Sequence, residues 1–220
     1  MTEFPYGRAA GSEVAAPGFG PAEVISSWIT PGAAVLDVGC WTGDLLGRLS
    51  VSHQCQVVGI EPDARAAAHA VAAGIETIVA GGLEASFALQ ESGRRFHHVI
   101  FADVLEHVSD PVEMLRRFEP LLDRDGTFLI SIPNIGFLPA RAKIARGLWE
   151  YEDSGIFDRT HLRFYTVRSG REMVEAAALR IERDAYVGPL ATRLGQLGAR
   201  LTGLRPGLLA KQMVFEASLT

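Results

Sequence analysis

No stretch of this 220-residue chain approaches the roughly twenty consecutive apolar residues that cross a bilayer. Residues 1–20 also lack the basic-then-apolar order of a secretory leader. Cysteine is scarce. Cys40 and Cys55 are the only two, they stand in strand-like surroundings without metal-type spacing, and they read as buried thiols of a reducing compartment. Positive charge is in deficit, with 21 Lys and Arg against 26 Asp and Glu for a formal net charge of -5. That balance argues against nucleic acid or an anionic membrane as a dominant partner. No internal repeat or long linker interrupts the chain. These absences predict a cytoplasmic protein without a nucleic-acid or membrane partner; they leave room for a homodimer.

Hydrophobic residues make up 48% of the chain, enough for a substantial core, and the length suits one α/β domain. Residues 1–20, rich in Gly, Ala and Pro, read as a flexible N-terminal arm. Residues 21–220 read as a single domain with insertions at about 135–157 and 188–210. Helical spacing begins at Pro21 to Trp28, after which strands and helices alternate. Strands are expected at the start of 34–46 and at 56–61, 76–80, 98–103, 127–132, 180–187 and 211–218. Helices are expected at 64–73 with Gly74 as terminator, from the Gly81-Gly82 turn through about 90, at 111–122 with Asp110 as N-cap, at 139–147 and at 166–178. This rhythm implies a mainly parallel sheet that binds its ligand at the carboxyl ends of its strands.

The chain is organised around Ala34 to Leu46, a buried strand that runs into a glycine-bearing turn and then a helix. Gly39 and Gly43 carry no Cβ, so the backbone can turn sharply there and a ligand can approach it, with the amides of the next helix facing that ligand. The following strand ends in Glu61, whose carboxylate can accept from both hydroxyls of a ribose. These residues resemble the class I S-adenosylmethionine (SAM) methyltransferases, whose first motif has the form hydrophobic-Asp-x-Gly-x-Gly-x-Gly and whose second strand ends in an acid. Trp41 departs from that pattern, standing at the middle glycine. The nicotinamide fingerprint spaces its last glycine differently and has no acid where Asp37 stands.

The resemblance implies a Rossmann-like fold with a seven-stranded, mainly parallel sheet, helices on both faces and an antiparallel last strand. It implies SAM as cofactor and S-adenosylhomocysteine as product. By the same resemblance the cofactor-binding set is Asp37, Gly39, Cys40, Trp41, Gly43, Glu61, Pro62, Gly82, Leu83, Ala102 and Asp103.

Two further runs carry chemistry. Asp103-Val104-Leu105-Glu106-His107 ends the fourth strand, with Asp103 expected beside the methionine end of SAM and His107 as a candidate base. The segment Gly155 to Thr166 packs ionisable and hydroxyl side chains among aromatics. It resembles the Asp-x-Thr-His-x-Arg-Phe-Phe-Thr signature of a bacterial methyltransferase subfamily linked with sugar, natural-product and cell-surface pathways. Here His161 is the candidate base, with Asp158 or Glu106 orienting its ring, and Arg159 or Arg163 available to an anionic substrate group. The expected reaction is methyl transfer to a hydroxyl oxygen of a small acceptor. N- or carboxyl-methylation and a non-catalytic SAM-binding subunit are the alternatives. Asp103, Glu106, His107 and His161 together also offer two acids and two imidazoles to a divalent ion, an arrangement similar to the Glu-x-x-Glu-His of small-RNA 3′-end methyltransferases and of a ubiquinone-pathway O-methyltransferase. Asp103 is one methylene shorter than the acid there, and Leu-Glu-His also occurs in methyltransferases without metal, so no metal is expected.

Overall fold

In the computed structural model, which describes residues 13–14 and 19–220, apolar residues alternate in direction along each central strand and so must be covered on both faces. Leu36, Phe101 and Phe128 join Phe118 and Phe215 in one buried cluster, where the Phe101 and Phe118 rings meet edge to face at 5.3 Å. Their chain neighbours Val35, Ile100 and Leu129 join Trp28, Leu46 and Leu49 in a second cluster on the other face.

The strands are β1 (Glu13–Val14), β2 (Ala34–Val38), β3 (Gln56–Ile60), β4 (Glu76–Ile78), β5 (Phe96–Ala102), β6 (Leu122–Pro133), β7 (Leu179–Val187) and β8 (Gln212–Leu219). They form one sheet in the order β1-β7-β8-β6-β5-β2-β3-β4. Every neighbouring pair is parallel except those of β8, which runs antiparallel between β6 and β7. This is the Rossmann-like architecture expected, with the two-residue β1 added at the edge beside β7. Most of the expected arm, residues 1–12 and 15–18 with Phe4 and Tyr6, lies outside the described residues.

The helices are α1 (Pro21–Trp28), α2 (Asp44–Ser52), α3 (Ala64–Ala72), α4 (Gly82–Glu91), α5 (Pro111–Phe118), α6 (Leu138–Ala145), α7 (Val167–Ala176), α8 (Pro189–Leu204) and α9 (Pro206–Leu209). Their starts follow from the sequence. The Asp63 carboxylate accepts from the Arg65 and Ala66 amides to open α3, Asp110 accepts from Glu113 N–H to open α5, and Thr166 and Ser169 exchange hydrogen bonds to open α7. A helix expected to run to Leu122 stops at Phe118, because Pro120 lies in a 3-10 turn, Glu119–Leu121, that leads directly into β6. Residues 123–126, between the expected helix and the expected strand at 127–132, are part of that 12-residue strand.

The segment 135–157 holds α6 over a small cluster of its own, in which Ala140, Ile156 and Phe157 are buried. Trp149 closes it, its ring edge-on to Phe157 and Phe164 at 5.3 and 5.0 Å. The segment 188–210 holds α8, bent at Gly195, and α9. Among the described residues no helix is long and apolar enough to cross a membrane. Both cysteines are free and buried, in the connections next to β2 and β3 rather than within strands.

Candidate active site

Strand order reverses between β5 and β2, and the loops that leave β2, β3, β4 and β5 gather at one edge of the sheet. The first of them is pinned to its neighbour, with the Gly39 and Cys40 amides donating to Ile60 O at 2.8 and 3.0 Å. Gly39 and Gly43 both take the left-handed conformation, φ +78° and +80°, and a Cβ on Gly39 would stand 2.8 Å from Val104 Cγ2. Gly39→Ala is therefore expected to cost about 1–3 kcal/mol of stability, from backbone strain together with overpacking. Chemical denaturation measures it; a loss below about 0.5 kcal/mol contradicts the strained turn.

Trp41 is also left-handed, φ +50°, the conformation that suits the glycine it replaces. Its ring is 62% exposed, while its amide donates to Glu61 Oε2 at 2.9 Å. The other Glu61 oxygen accepts from Asp63 N–H at 2.8 Å. Glu61 is only 5% exposed, so these two amides fix its carboxylate at the carboxyl end of β3. Pro62 follows it on the surface, and Gly82 and Leu83 form the first turn of α4 after β4.

Asp37 lies within β2, 3% exposed, with Oδ1 buried and without a hydrogen-bond partner. Burial first, and then the nearby Glu61 charge, push its carboxyl up to about 8. An unfolded Asp titrates near 4, so this group costs nothing below about pH 4 and destabilises the fold increasingly as pH rises toward 8. Asp37→Asn removes that penalty. The ligand-free variant is expected to gain on wild type by an amount that grows between pH 5 and pH 8, reaching on the order of a few kcal/mol. Thermal unfolding at the two pH values reads the difference, and a gap independent of pH would rule out the cause given.

β5 ends at Ala102, and Asp103 turns away with φ +55°. Its carboxylate is taken up by neighbours: Oδ1 accepts from Ser131 Oγ at 3.0 Å, and Gln212 Nε2 donates to Oδ1 and Oδ2 at 2.8 and 2.9 Å. Its pKa is raised: the residue as a whole is exposed, but desolvation of its carboxylate under Ser131 and Gln212 outweighs the hydrogen bonds they donate. Beyond it the 3-10 turn Leu105–His107 carries Glu106 and His107 into a cleft of about 400 Å³, lined also by Asp103, Asp158, His161 and Gln212.

The 155–166 segment is tied to this turn through its backbone, since the Leu162 and Arg163 amides both donate to Glu106 O, at 2.8 and 3.1 Å. The His107 and His161 rings then meet edge to face at 4.7 Å. His161 Nδ1 lies 3.2 Å from Ile156 O, and His107 Nδ1 lies 3.2 Å from Thr160 O and 3.0 Å from Thr160 Oγ1. A carbonyl oxygen only accepts, so both rings carry a proton on Nδ1, and in the neutral form of either ring Nε2 is the atom with the lone pair. Asp158 accepts from Thr160 Oγ1 at 2.5 Å and from Thr160 N–H at 2.8 Å, and these bonds lower its pKa. Burial, followed by the His107 ring, lowers that of His161, keeping it neutral.

Glu106 is 1% exposed, and neither carboxylate oxygen has a hydrogen-bond partner. Burial, then the Asp103 charge, push it up to about 8. Arg159 and Arg163 do not line the cleft: Arg159 pairs with Asp153, and Arg163 donates to Ser109 O rather than pairing with Asp158. Gln212, Ser131 and Lys211 escaped sequence reasoning. Ser131 stands in the Ser-Ile-Pro-Asn run that ends β6, which was a usable signal. Gln212 and Lys211 reach the cleft because antiparallel β8 begins opposite Pro133, and no local pattern announces that pairing.

Among solved structures, a SAM-dependent methyltransferase from Archaeoglobus fulgidus superposes with a TM-score of 0.63 at 14% identity, covering 89% of this chain and 93% of that one. Magnesium protoporphyrin IX methyltransferase from Synechocystis, with bound S-adenosylhomocysteine, gives 0.63 at 16% identity over 90% and 82%. The [4+2]-cyclase SpnF gives 0.64 at 14% identity over 96% and 88%, so the shared fold does not by itself name a reaction. In sequence, a ubiquinone biosynthesis O-methyltransferase from Azorhizobium caulinodans is 31% identical over 107 residues, 47% of this chain. The matched region spans only 41% of that relative's length. A match that runs from residue 21 to residue 216 is far more complete, and by it the chain belongs to the MetW family of methionine biosynthesis proteins.

Proposed function

We propose that this protein is a SAM-dependent methyltransferase that transfers a methyl group to a hydroxyl oxygen of a small acceptor. The observation that carries this reading is an adjacency. The glycine turn with its buried acid, Glu61, opens on the same sheet edge as the cleft where two imidazoles held through Nδ1 turn their Nε2 atoms inward. In this reading Glu61 accepts from the ribose hydroxyls, the turn after β2 and the first turn of α4 border the cofactor, and Asp103 separates the cofactor from the acceptor. The acceptor oxygen attacks the sulfonium methyl in line, the carbon–sulfur bond breaks with its electron pair going to sulfur, and S-adenosylhomocysteine leaves. The sulfonium supplies most of the reactivity, so the protein aligns the partners and removes a proton, which the His161 or His107 Nε2 lone pair accepts.

The resemblance of the Asp158-to-Thr166 run supports an acceptor from sugar or natural-product chemistry. An amine or carboxylate acceptor is the first alternative, since neither needs as strong a base. The family's description favours a further one: it names methionine biosynthesis and not methyl transfer, which a SAM-binding subunit without turnover could also serve. Incubation with methyl-labelled SAM and a panel of hydroxyl, amine and carboxylate acceptors decides among them. Labelled ether product is the expected outcome. Tight SAM binding with no product on any acceptor favours the subunit, and failure to bind SAM at all removes the reading.

A further inference from the structure

Three groups in the cleft converge on one point with no hydrogen bond joining any two of them. Glu106 Oε1 and Oε2 have no partner, His161 Nε2 stands 3.9 Å from Oε1, too far for a hydrogen bond, and among the described residues nothing donates to His107 Nε2. One donor atom from each of these residues lies within 4.8 Å of the other two. Burying a carboxylate between two acceptor nitrogens is costly unless a cation joins them. Both rings are moreover held through Nδ1, His161 on Ile156 O and His107 on Thr160, whose hydroxyl donates to Asp158. Outer hydrogen bonds of this kind orient imidazole ligands and fix their tautomer.

We propose that Glu106, His107 and His161 form the protein half of a site for one divalent first-row transition metal ion, with its open positions turned to the acceptor cleft. Asp103 is outside the ligand set, because Ser131 and Gln212 already occupy its oxygens. Two imidazoles and one carboxylate suit zinc, iron, cobalt or nickel, whereas magnesium prefers an all-oxygen shell. Donors around such an ion stand about 3.3 Å apart for bonds of about 2.1 Å, so the three side chains close inward on loading. Three protein ligands with vacancies make a site that can take substrate rather than a closed structural one. The role assigned to the ion rests on the methyltransferase reading. With the ion bound, the Nε2 lone pairs are no longer the proton acceptor: an acceptor hydroxyl coordinated at a vacancy loses its proton to solvent more readily, its electron pair stays on the oxygen that attacks the methyl, and the ion is neither oxidised nor reduced.

The test is titration of the chelator-treated full chain with Co²⁺, followed by visible absorption, and with Zn²⁺ and Mg²⁺ by calorimetry. Expected are one Co²⁺ or Zn²⁺ per chain at micromolar or tighter affinity, ligand-field bands in the visible, and weaker binding of Mg²⁺. Glu106→Gln and His161→Ala should each weaken binding by more than about 100-fold, while Asp103→Asn changes it by less than about threefold. Should either buried-site variant fail to fold, His107→Ala, at an exposed ring, tests the same ligand set. No stoichiometric binding, or binding unaffected in these variants, overturns the site. A parallel SAM titration separates the two proposals: metal bound without SAM sinks the methyltransferase reading alone, and chelator-resistant turnover with no metal bound sinks the site alone.

Discussion

His161→Ala slows methyl transfer by about two to four orders of magnitude, the range for a positioned proton acceptor, and leaves SAM affinity nearly unchanged. The expectation follows from where the ring is held. Its side chain is 5% exposed, Nδ1 is committed to Ile156 O, and Nε2 faces the space between Glu106 and His107. Whether Nε2 receives the acceptor's proton or holds an ion that does the work, its removal is felt in turnover and not in cofactor binding, because the SAM contacts expected here lie at the ends of β2, β3 and β5 and on α4, none of them on the 155–166 segment. Single-turnover rates with saturating SAM measure the loss. Full activity in a folded His161→Ala protein makes the 155–166 segment structural only. A matching loss of SAM affinity instead means that the ring borders the cofactor, and the proposed division of the site is wrong.

Glu61→Ala should lower SAM affinity by about 2–4 kcal/mol, the scale of two charge-assisted hydrogen bonds to ribose hydroxyls. The structure adds a second contribution. Glu61 also braces the Trp41 and Asp63 amides, so truncation frees the loop after β2 as well as removing the acceptors. Glu61→Gln distinguishes the two, since its amide oxygen can hold one brace while its NH₂ offers no acceptor. Calorimetric titration should place it between wild type and alanine. Unchanged affinity in a folded Glu61→Ala variant removes the cofactor assignment at this residue.

The parts of the fold set by local chemistry were legible. Helix α1 has the bounds that spacing predicts, and the caps at Asp110 and Thr166 fall where a short polar side chain precedes a helical run. The antiparallel last strand came with the family resemblance rather than from periodicity. Misread stretches were those where long-range pairing overrode local preference. Asp123 to Gly126 has turn composition, yet β6 continues through it, pairing Leu122 with Phe96 across a register shift. In the site, Glu106 and His161 could be named from sequence, but their mutual burial could not, because it depends on amides 56 and 57 residues further on docking onto Glu106 O. Gln212, which reaches Asp103 from 109 positions away, is the extreme case.

The central claim is that one sheet edge holds SAM on the β2 and β3 loops and the acceptor in the Asp103–His161 cleft. A crystal structure with S-adenosylhomocysteine tests it most directly. The account predicts ribose hydroxyls within hydrogen-bonding distance of Glu61 and a sulfur atom that faces the cleft beside Asp103. A nucleoside seated elsewhere, or a sulfur turned away from His107 and His161, would contradict it.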